Sequence, residues 1–379
     1  MDFSFEFPFW GQAFLAFIAS LFFSLITIPV VINVSLAKGL FDEPNGRSSH
    51  QRVTPTLGGV AVFISLILTY LLVGGVHFVP AIRYLFASLL IIFFIGIKDD
   101  ILVIAPIKKL LAQLFASLIV IIMADIRIGS LHGVVGIYEI PYIASVVLSL
   151  FVYVVMINAI NLVDGIDGLA GGLGIVMAGF LGVWFYVNGA YSYALLSVIL
   201  IASLIGFLRF NFSREQKIFM GDTGSLLLGF VLAVLNIQFL RMHELPEVMV
   251  FSFKSAPAMA VLLFAIPLFD TLRVFTNRIS ERRSPFFPDR NHIHHIFIDK
   301  GLQHWKATAL ICICNVLYVL LFTYIVEALS PSLSCLFIFG LFLIYAYVLN
   351  LMKMPPTSKM FVKKSVVRFQ QKTNMRKRA

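Results

Sequence analysis

The amino-acid sequence predicts an all-α integral membrane protein, and three observations support that prediction. Of its 379 residues, 60% are hydrophobic and only 13% are charged, whereas soluble domains usually have roughly 45–50% and about 25%. The mean hydropathy is +0.95, and the apolar residues form long runs between short polar segments. The three cysteines all lie inside apolar runs. This composition excludes a soluble enzyme, a disordered protein and a secreted disulfide scaffold.

Eleven apolar runs are candidates for membrane-spanning helices, because a hydrocarbon layer about 30 Å thick requires roughly 20 helical residues. In chain order the runs cover 11–36, 57–75, 80–97, 107–124, 142–158, 169–187, 191–208, 223–240, 256–274, 307–328 and 333–350. With eleven spans, alternate loops lie on the same side of the membrane. All but four of the 29 Lys and Arg residues then lie on one side. The positive-inside rule assigns that side to the cytoplasm, with the amino terminus outside and the carboxyl terminus inside.

The same pattern defines the domain organisation. We expect residues 1–352 to form one multi-pass domain in a bacterial cytoplasmic (inner) membrane. Residues 353–379 form a basic cytoplasmic tail that meets anionic lipid headgroups. The net charge of +10 is then explained without any nucleic-acid partner.

The first inward loop, residues 37–56, carries His50 and Arg52 just before the stretch TPTLGG. Both side chains can reach a bound substrate, and paired glycines allow close packing of the backbone. We therefore treat His50 and Arg52 as candidate substrate-binding residues.

The second inward loop, residues 98–109, begins with the adjacent pair Asp99 and Asp100. Two carboxylates at the end of a span repel each other and are costly to remove from water, so they persist best beside a cation or a substrate. The alternative is a solvated loop in which an aspartate caps the following helix.

The third inward segment, residues 158–172, places Asn158, Asn161, Asp164 and Asp167 at intervals of three. On a helix this spacing would bring all four side chains to one slowly drifting face. Oxygen-bearing side chains flanked by glycine suit a hard cation or a hydrogen-bonding ligand. The alternative is a polar seam between closely packed helices.

The fourth inward segment, residues 209–225, contains Asp222 at the expected start of a helix. A helix amino terminus attracts anions, and Asp222 can instead hold a metal ion that bridges to an anion. The simpler alternative is that Asp222 is the N-cap of the helix.

The long inward loop, residues 273–306, contains Arg290, His292, His294 and His295. Clustered histidines suggest zinc, but no cysteine lies nearby, and arginines precede the cluster. Histidine and arginine also bind phosphate, as cations or as hydrogen-bond donors. A phosphate-binding surface is therefore favoured over a zinc site, with a plain solvated loop as the remaining alternative.

All of these motifs lie on the cytoplasmic side of the charge-derived topology. Carboxylates, a metal ligand and a cationic loop on one side of a membrane indicate phosphoryl transfer at the membrane surface. A secondary transporter is the alternative from a different class. Transporters, however, carry their intramembrane carboxylates near the midplane, and many contain internal repeats. Neither feature is found in this sequence.

Five motifs together resemble a known family. TPTLGG, KDD, NAINLVDGIDGLAGG, FMGDTGSLLLG and PDRNHIHH occur in that order, as in the polyprenyl-phosphate N-acetylhexosamine-1-phosphate transferases, which are family 4 glycosyltransferases. The histidine loop is similar to the WecA-like and TagO-like branch rather than to the MraY-like branch. The resemblance implies transfer of a sugar 1-phosphate, most simply N-acetylglucosamine 1-phosphate, from the UDP-sugar to undecaprenyl phosphate, with release of UMP. Another UDP-sugar, of the N-acetylgalactosamine, N-acetylfucosamine or diamino type, is the alternative within the family.

The resemblance also implies roles for residues. Mg²⁺ or Mn²⁺ would be held by Asp222 with Asn161. Catalytic roles fall to the remaining acidic and histidine positions, namely Asp99, Asp100, Asp164, Asp167, His292, His294 and His295. Substrate-binding roles fall to His50, Arg52, Asn158 and Arg290. The partners implied are the UDP-sugar, undecaprenyl phosphate, membrane lipids and, in some arrangements, a second copy of the chain.

Overall fold

The computed structural model describes residues 8–42, 54–77, 79–102, 104–244, 249–284 and 290–353. Most of these residues are helical. The helices are α1 Phe9–Lys38, α2 Gly58–Val73, α3 Pro80–Leu102, α4 Pro106–Met123, α5 Tyr142–Val163, α6 Leu169–Val187, α7 Tyr191–Asn211, α8 Gly221–Met242, α9 Ala256–Leu263, α10 Ala265–Ser280, α11 Ile293–Asp299, α12 His304–Ala328 and α13 Pro331–Lys353. Two short antiparallel pairs join β1 Phe41–Asp42 to β2 Thr54–Pro55 and β3 Ser130–Val134 to β4 Ile137–Glu139.

Among the described residues, nine helices are long and apolar enough to cross a membrane. The count rises to ten if α9 and α10, which meet at an angle of 76°, form one span. This confirms the predicted class, an all-α membrane protein. The predicted number of eleven is not confirmed, because α2 has only 16 residues and a helix rises about 1.5 Å per residue. It is therefore shorter than a full hydrocarbon layer.

Helix α8 is the centre of the bundle. Every residue from Thr223 to Leu240 is buried, and the helix contacts α2, α3, α5 and α6. Its sequence is apolar on all sides, which is typical of a helix surrounded by other helices. In contrast, α1, α12 and α13 expose large apolar side chains such as Phe14 and Tyr324, as expected for helices that face lipid.

The break between α9 and α10 has a local cause. Proline lacks a backbone N–H and its ring collides with the carbonyl four residues earlier. Pro267 lies in the first turn of α10, and the residue four positions earlier is Leu263, the last residue of α9. The chain therefore bends at Phe264, and α10 leaves in a new direction.

Glycines allow the start of α8 to contact two neighbouring helices closely. A Cβ atom on Gly59 would lie 2.1 Å from the backbone nitrogen of Gly224, and one on Gly96 would lie 2.5 Å from Cα of Thr223. The backbone N–H of Gly59 donates to the carbonyl of Met220 at 2.9 Å. Because any larger residue would push these segments apart, the glycines bring the end of α3, with its two aspartates, to the first turn of α8.

Candidate active site

Asp100 caps helix α8 from a different helix. Its Oδ1 accepts the backbone N–H of Asp222 at 2.7 Å. Its Oδ2 accepts the N–H and the hydroxyl of Thr223 at 3.0 and 2.5 Å. These two N–H groups are among the four that a helix start leaves without an intrahelical partner. Asp222 is therefore not the N-cap, and its own side chain is available for another contact.

The ammonium group of Lys109 lies between two carboxylates. It forms ion pairs with Oδ2 of Asp99 and, at 3.1 Å, with Oδ1 of Asp222. Asp99 is only 7% exposed, and its other oxygen accepts the backbone N–H of Ile104 at 2.8 Å. Carboxylates from α3 and α8 thus both face the ammonium group of Lys109, at the end of the bundle where α4 and α8 begin.

The four polar residues of the third motif do not share one face. Helix α5 ends at Val163, so Asp164 and Asp167 lie in the turn that follows rather than on the helix. The amide nitrogen of Asn161 donates to Asp222 Oδ1 at 2.6 Å. That of Asn158 donates to Oε1 of Gln113 at 2.8 Å. The expectation of a single helical face was wrong, although Asn161 does join the site.

Asp167 anchors the turn between α5 and α6. Its Oδ2 accepts hydrogen bonds from Lys217 Nζ at 2.6 Å and His304 Nδ1 at 2.9 Å. Burial alone would raise the pKa of Asp167, but the hydrogen bonds from His304 and Lys217 outweigh it and lower that pKa below its usual value. The turn ends at Gly168, whose φ of 77° is in the left-handed region that favours glycine.

Asp164 has a different environment. Within the described part of the chain its carboxylate has no hydrogen-bond donor and no ion pair. Burial raises the pKa of Asp164 to about 7, helped by the negative charges of Asp222, Asp100 and Asp167. Two neighbouring aspartates of one turn therefore differ in protonation near neutral pH.

The histidine loop packs against the acidic turn. A Cβ atom on Gly165 would lie 2.1 Å from His294 Nε2, so only glycine fits there. Burial, with the adjacent rings of His295 and His292, lowers the pKa of His294 well below its usual value. Burial and the charge of Arg290 lower the pKa of His295 to about 4. Both rings are therefore neutral at pH 7 and suited to act as hydrogen-bond donors rather than as cations.

The remaining predicted residues lie apart from this centre or beyond the described residues. Arg290 is exposed and pairs with Asp299 at 3.1 Å. His50 and Arg52 fall outside the described residues. Within the described ranges, no group of three His, Cys, Asp or Glu side chains is arranged to hold a metal ion, so the loop offers no preformed zinc cage.

Comparison with known proteins places these features in one family. The family model "Glycosyl transferase family 4" matches residues 82–240. The "Undecaprenyl-phosphate alpha-N-acetylglucosaminyl 1-phosphate transferase" of Yersinia pestis is 32% identical over 340 residues, which cover 86% of this chain and 89% of that protein. The chain belongs to glycosyl transferase family 4.

Two further relatives extend the similarity of this family 4 glycosyl transferase. The "Probable undecaprenyl-phosphate N-acetylglucosaminyl 1-phosphate transferase" of Bacillus subtilis (strain 168) is 32% identical, with 88% of each chain covered. The "Undecaprenyl-phosphate alpha-N-acetylglucosaminyl 1-phosphate transferase" of Salmonella typhi is 30% identical, with 76% of this chain and 77% of that protein covered. The resemblance derived from the ordered motifs is therefore confirmed at the level of the family.

In this family 4 glycosyl transferase, sequence reasoning missed several residues that contact the site. Lys109, Lys217 and His304 pair with the predicted aspartates, but nothing in their local sequence marks them. Asp270 and Arg273 are different, because two opposite charges three residues apart within an apolar helix are a recognisable sign of a buried pair. That signal is present in the sequence.

Proposed function

We propose that this chain transfers N-acetylglucosamine 1-phosphate from UDP-N-acetylglucosamine to undecaprenyl phosphate and releases UMP. The observation that carries the proposal is the position of Lys109 between the carboxylates of Asp99 and Asp222. This contact brings carboxylates from α3 and α8 around one ammonium group at one end of the bundle. The names of the relatives support undecaprenyl phosphate as the acceptor and N-acetylglucosamine 1-phosphate as the transferred group. The lipid acceptor explains why the protein is embedded in a membrane.

The chemistry sets the requirements of the site. An oxygen of undecaprenyl phosphate forms a bond to the phosphorus that carries the sugar. The bond from that phosphorus to the bridging oxygen breaks, and the electron pair leaves with UMP. A phosphate monoester has a second pKa near 6, so the acceptor is mostly a dianion at pH 7 and attacks directly without a general base. The main obstacle is the repulsion between two anionic reactants.

The residues fit a divalent cation of the Mg²⁺ type. Mg²⁺ prefers oxygen ligands, and proteins commonly hold it through one or two carboxylates while water and substrate phosphates fill the other positions. Asp222 and Asn161 provide such ligands, and the amide nitrogen of Asn161 lies 2.6 Å from Asp222 Oδ1. Asp99 pairs with the same ammonium group, that of Lys109, as Asp222 does. When bound, Mg²⁺ or Mn²⁺ would offset the charge of the diphosphate and of the departing UMP.

The other side chains have separable roles. Lys109 offers an ammonium group to the phosphates of the reactants, and Asp99 holds that group in place. Asp100 orders the first turn of α8 and so fixes the direction of Asp222. Neutral His294 and His295 donate hydrogen bonds to the donor substrate. Asp167 holds Lys217 and His304, two further basic side chains at the same end of the bundle.

The site is proposed to face the cytoplasm of a bacterial inner membrane. The support is the positive-inside rule, since the sequence predicts that all but four of the 29 Lys and Arg residues belong to loops on one side of the membrane. UDP-sugars are cytoplasmic, which agrees with that orientation. A homodimer stays a prediction. A secondary transporter is disfavoured, because the acidic groups gather at one end of α8 rather than near its middle.

The decisive experiment incubates purified protein with undecaprenyl phosphate and a panel of UDP-sugars, and follows UMP release. We expect UDP-N-acetylglucosamine to react fastest. Faster turnover of an N-acetylgalactosamine, N-acetylfucosamine or diamino sugar would reassign the donor, and no UMP release from any donor would refute the proposal.

Replacement of the principal metal ligand tests the metal assignment. Asp222→Asn should abolish transfer and remove the stabilisation of the folded protein by Mg²⁺. The matched control is Asp125→Asn, since Asp125 pairs with Arg241 at the opposite end of α8. Near-normal turnover of Asp222→Asn at low Mg²⁺ would contradict the assignment.

A further inference from the structure

Helix α10 carries a fully buried ion pair that the reaction described above does not use. Asp270 and Arg273 are both 0% exposed, and Arg273 Nη2 lies 2.7 Å from Asp270 Oδ1. Burying two charges is costly unless the remaining donors and acceptors are also satisfied. The partners of this pair therefore indicate what it does.

Those partners are three consecutive residues at the start of the histidine loop's helix, α11. Asp270 Oδ1 accepts the backbone N–H of Ile293 at 3.0 Å, and Asp270 Oδ2 accepts from His292 Nδ1 at 2.8 Å. Arg273 Nη2 donates to the carbonyl oxygen of Asn291 at 2.5 Å. The ion pair thus holds both the backbone and the imidazole ring of His292.

We propose that Asp270 is a positioning residue for the transfer reaction, which holds the His292 ring with its proton on Nδ1 and leaves Nε2 to face the phosphate-bearing donor. The proposal rests on the proposed function. A carboxylate only accepts hydrogen bonds, so the contact with Asp270 requires the proton on Nδ1. A partner on one ring nitrogen determines which form the other nitrogen presents.

The geometry connects this position to the acidic centre. The ring of His292 is parallel to that of His294, with an angle of 4° and centroids 5.8 Å apart. His294 in turn packs its Nε2 against Gly165 in the acidic turn. A rotation of the His292 ring would therefore disturb the surface that faces the turn of Asp164 and Asp167.

A purely structural role is the competing explanation. Arg273 Nη1 also donates to Asn350 at 3.4 Å, and Asn350 accepts from Asn277 at 3.0 Å. These contacts join α10 to α13 regardless of any reaction. The experiment must therefore separate an effect that passes through His292 from a general loss of packing.

A double-mutant cycle makes that separation. Asp270→Asn keeps one oxygen that can accept the N–H of Ile293. The second carboxylate oxygen, which accepts from His292 Nδ1, is replaced by an NH2 group that only donates. In metal sites, replacing a residue that holds a functional histidine by a hydrogen bond typically lowers activity by about 10–100-fold. We expect a loss of that order in kcat for Asp270→Asn, with a smaller change in KM. In a His292→Ala background the same replacement should cause no further loss. An equal loss in both backgrounds would overturn the proposal.

A measurement on the unaltered protein covers the case in which Asp270→Asn does not fold. In full-length protein labelled with ¹⁵N-histidine, the ring signals of His292 are assigned by their absence from His292→Ala. A proton on Nδ1 is expected, and a neutral ring with its proton on Nε2 would overturn the proposal. This result does not depend on turnover, so a failure of the wild type to transfer sugar phosphate would refute the proposed function alone.

The matched control for both experiments is Asp125→Asn. It also removes a carboxylate from an Asp–Arg pair, but at the other end of the bundle. Its backbone φ of 51° is tolerated by asparagine. It should leave kcat and the His292 signals unchanged, whereas a change equal to that of Asp270→Asn would indicate a nonspecific effect and count against the proposal.

Discussion

Replacing Lys109 with methionine tests the central arrangement of the site. Methionine keeps most of the length of the side chain but removes the charge that lies between Asp99 and Asp222. The two carboxylates then face each other without a counter-charge. We therefore expect the variant to be less stable in the absence of divalent cations.

The structure allows the size of this effect to be worked out. Coulomb's law with an effective dielectric constant of about 20 gives roughly 5 kcal/mol for unit charges at the 3.1 Å that separates Lys109 Nζ from Asp222 Oδ1. The net stabilisation is smaller than this Coulomb energy, because the charges lose water on burial. Solvent also screens the interaction, since 33% of the Asp222 side chain is exposed. A net loss of about 2–3 kcal/mol in the free energy of unfolding is expected.

Divalent cations should reverse the loss. Without the ammonium group, no side-chain cation competes with a metal ion for the carboxylates of Asp99 and Asp222. Mg²⁺ should therefore bind Lys109→Met more tightly than the wild type. Binding at 100 times the Kd stabilises a folded protein by about 2.7 kcal/mol, which is similar to the expected loss. The assays are unfolding of the detergent-solubilised protein with EDTA or Mg²⁺, and calorimetric titration with Mg²⁺. Transfer activity should still fall, because a cation that faces the phosphates is lost.

Lys108→Met is the matched control, since Lys108 is the preceding residue and is exposed. It removes the same charge from the same turn of α4. If both variants unfold with the same free energy and bind Mg²⁺ as the wild type does, Lys109 does not bridge the two carboxylates and the reasoning is refuted.

Three further predictions concern residues around this centre. Asp100→Ala should lower the free energy of unfolding by about 2 kcal/mol, because the cap on α8 and the bond to Thr223 are lost; unchanged denaturant unfolding would contradict the capping role. Gly165→Ala should reduce kcat while the protein stays folded, since its Cβ would meet His294 Nε2 at 2.1 Å; wild-type kinetics would show that this contact is unimportant. Burial and nearby acids raise the pKa of Asp164 to about 7, so the ionised carboxylate destabilises the folded state increasingly as the pH rises from about 4 to 7. Asp164→Asn should therefore stabilise the metal-free protein more at pH 8 than at pH 5, by a difference on the order of 2 kcal/mol, and an equal gain at both pH values in thermal unfolding would rule this out.

The sequence predicted which residues come together in part of the candidate site. Asp99, Asp222 and Asn161 were selected from their motifs, and the structure brings them together at Lys109 and α8. The helical spacing of Asn158 and Asn161 predicted one shared face, but their amides bond to different helices. A period of three describes neighbours only while the helix continues, and α5 ends before the two aspartates of the motif.

The partners of the motif residues could not be predicted, because they come from distant segments. Lys217 and His304 both reach Asp167, yet they are separated from it and from each other by whole helices. His294 was expected to be a phosphate ligand that could be cationic, whereas burial lowers its pKa. The state of an ionisable group depends on its desolvation and its neighbours, and neither can be read from the local sequence.

The sequence by itself determined that the chain is a helical membrane protein, where its long helices lie and which family it belongs to. Those properties follow from the length and apolarity of each segment and from short motifs, which are local. Only the tertiary structure decided that Asp100 caps α8, that Lys109 joins two carboxylates and that Asp270 holds His292. Each of these contacts joins residues of different helices or loops, so it depends on how those segments pack together, which the local sequence does not specify.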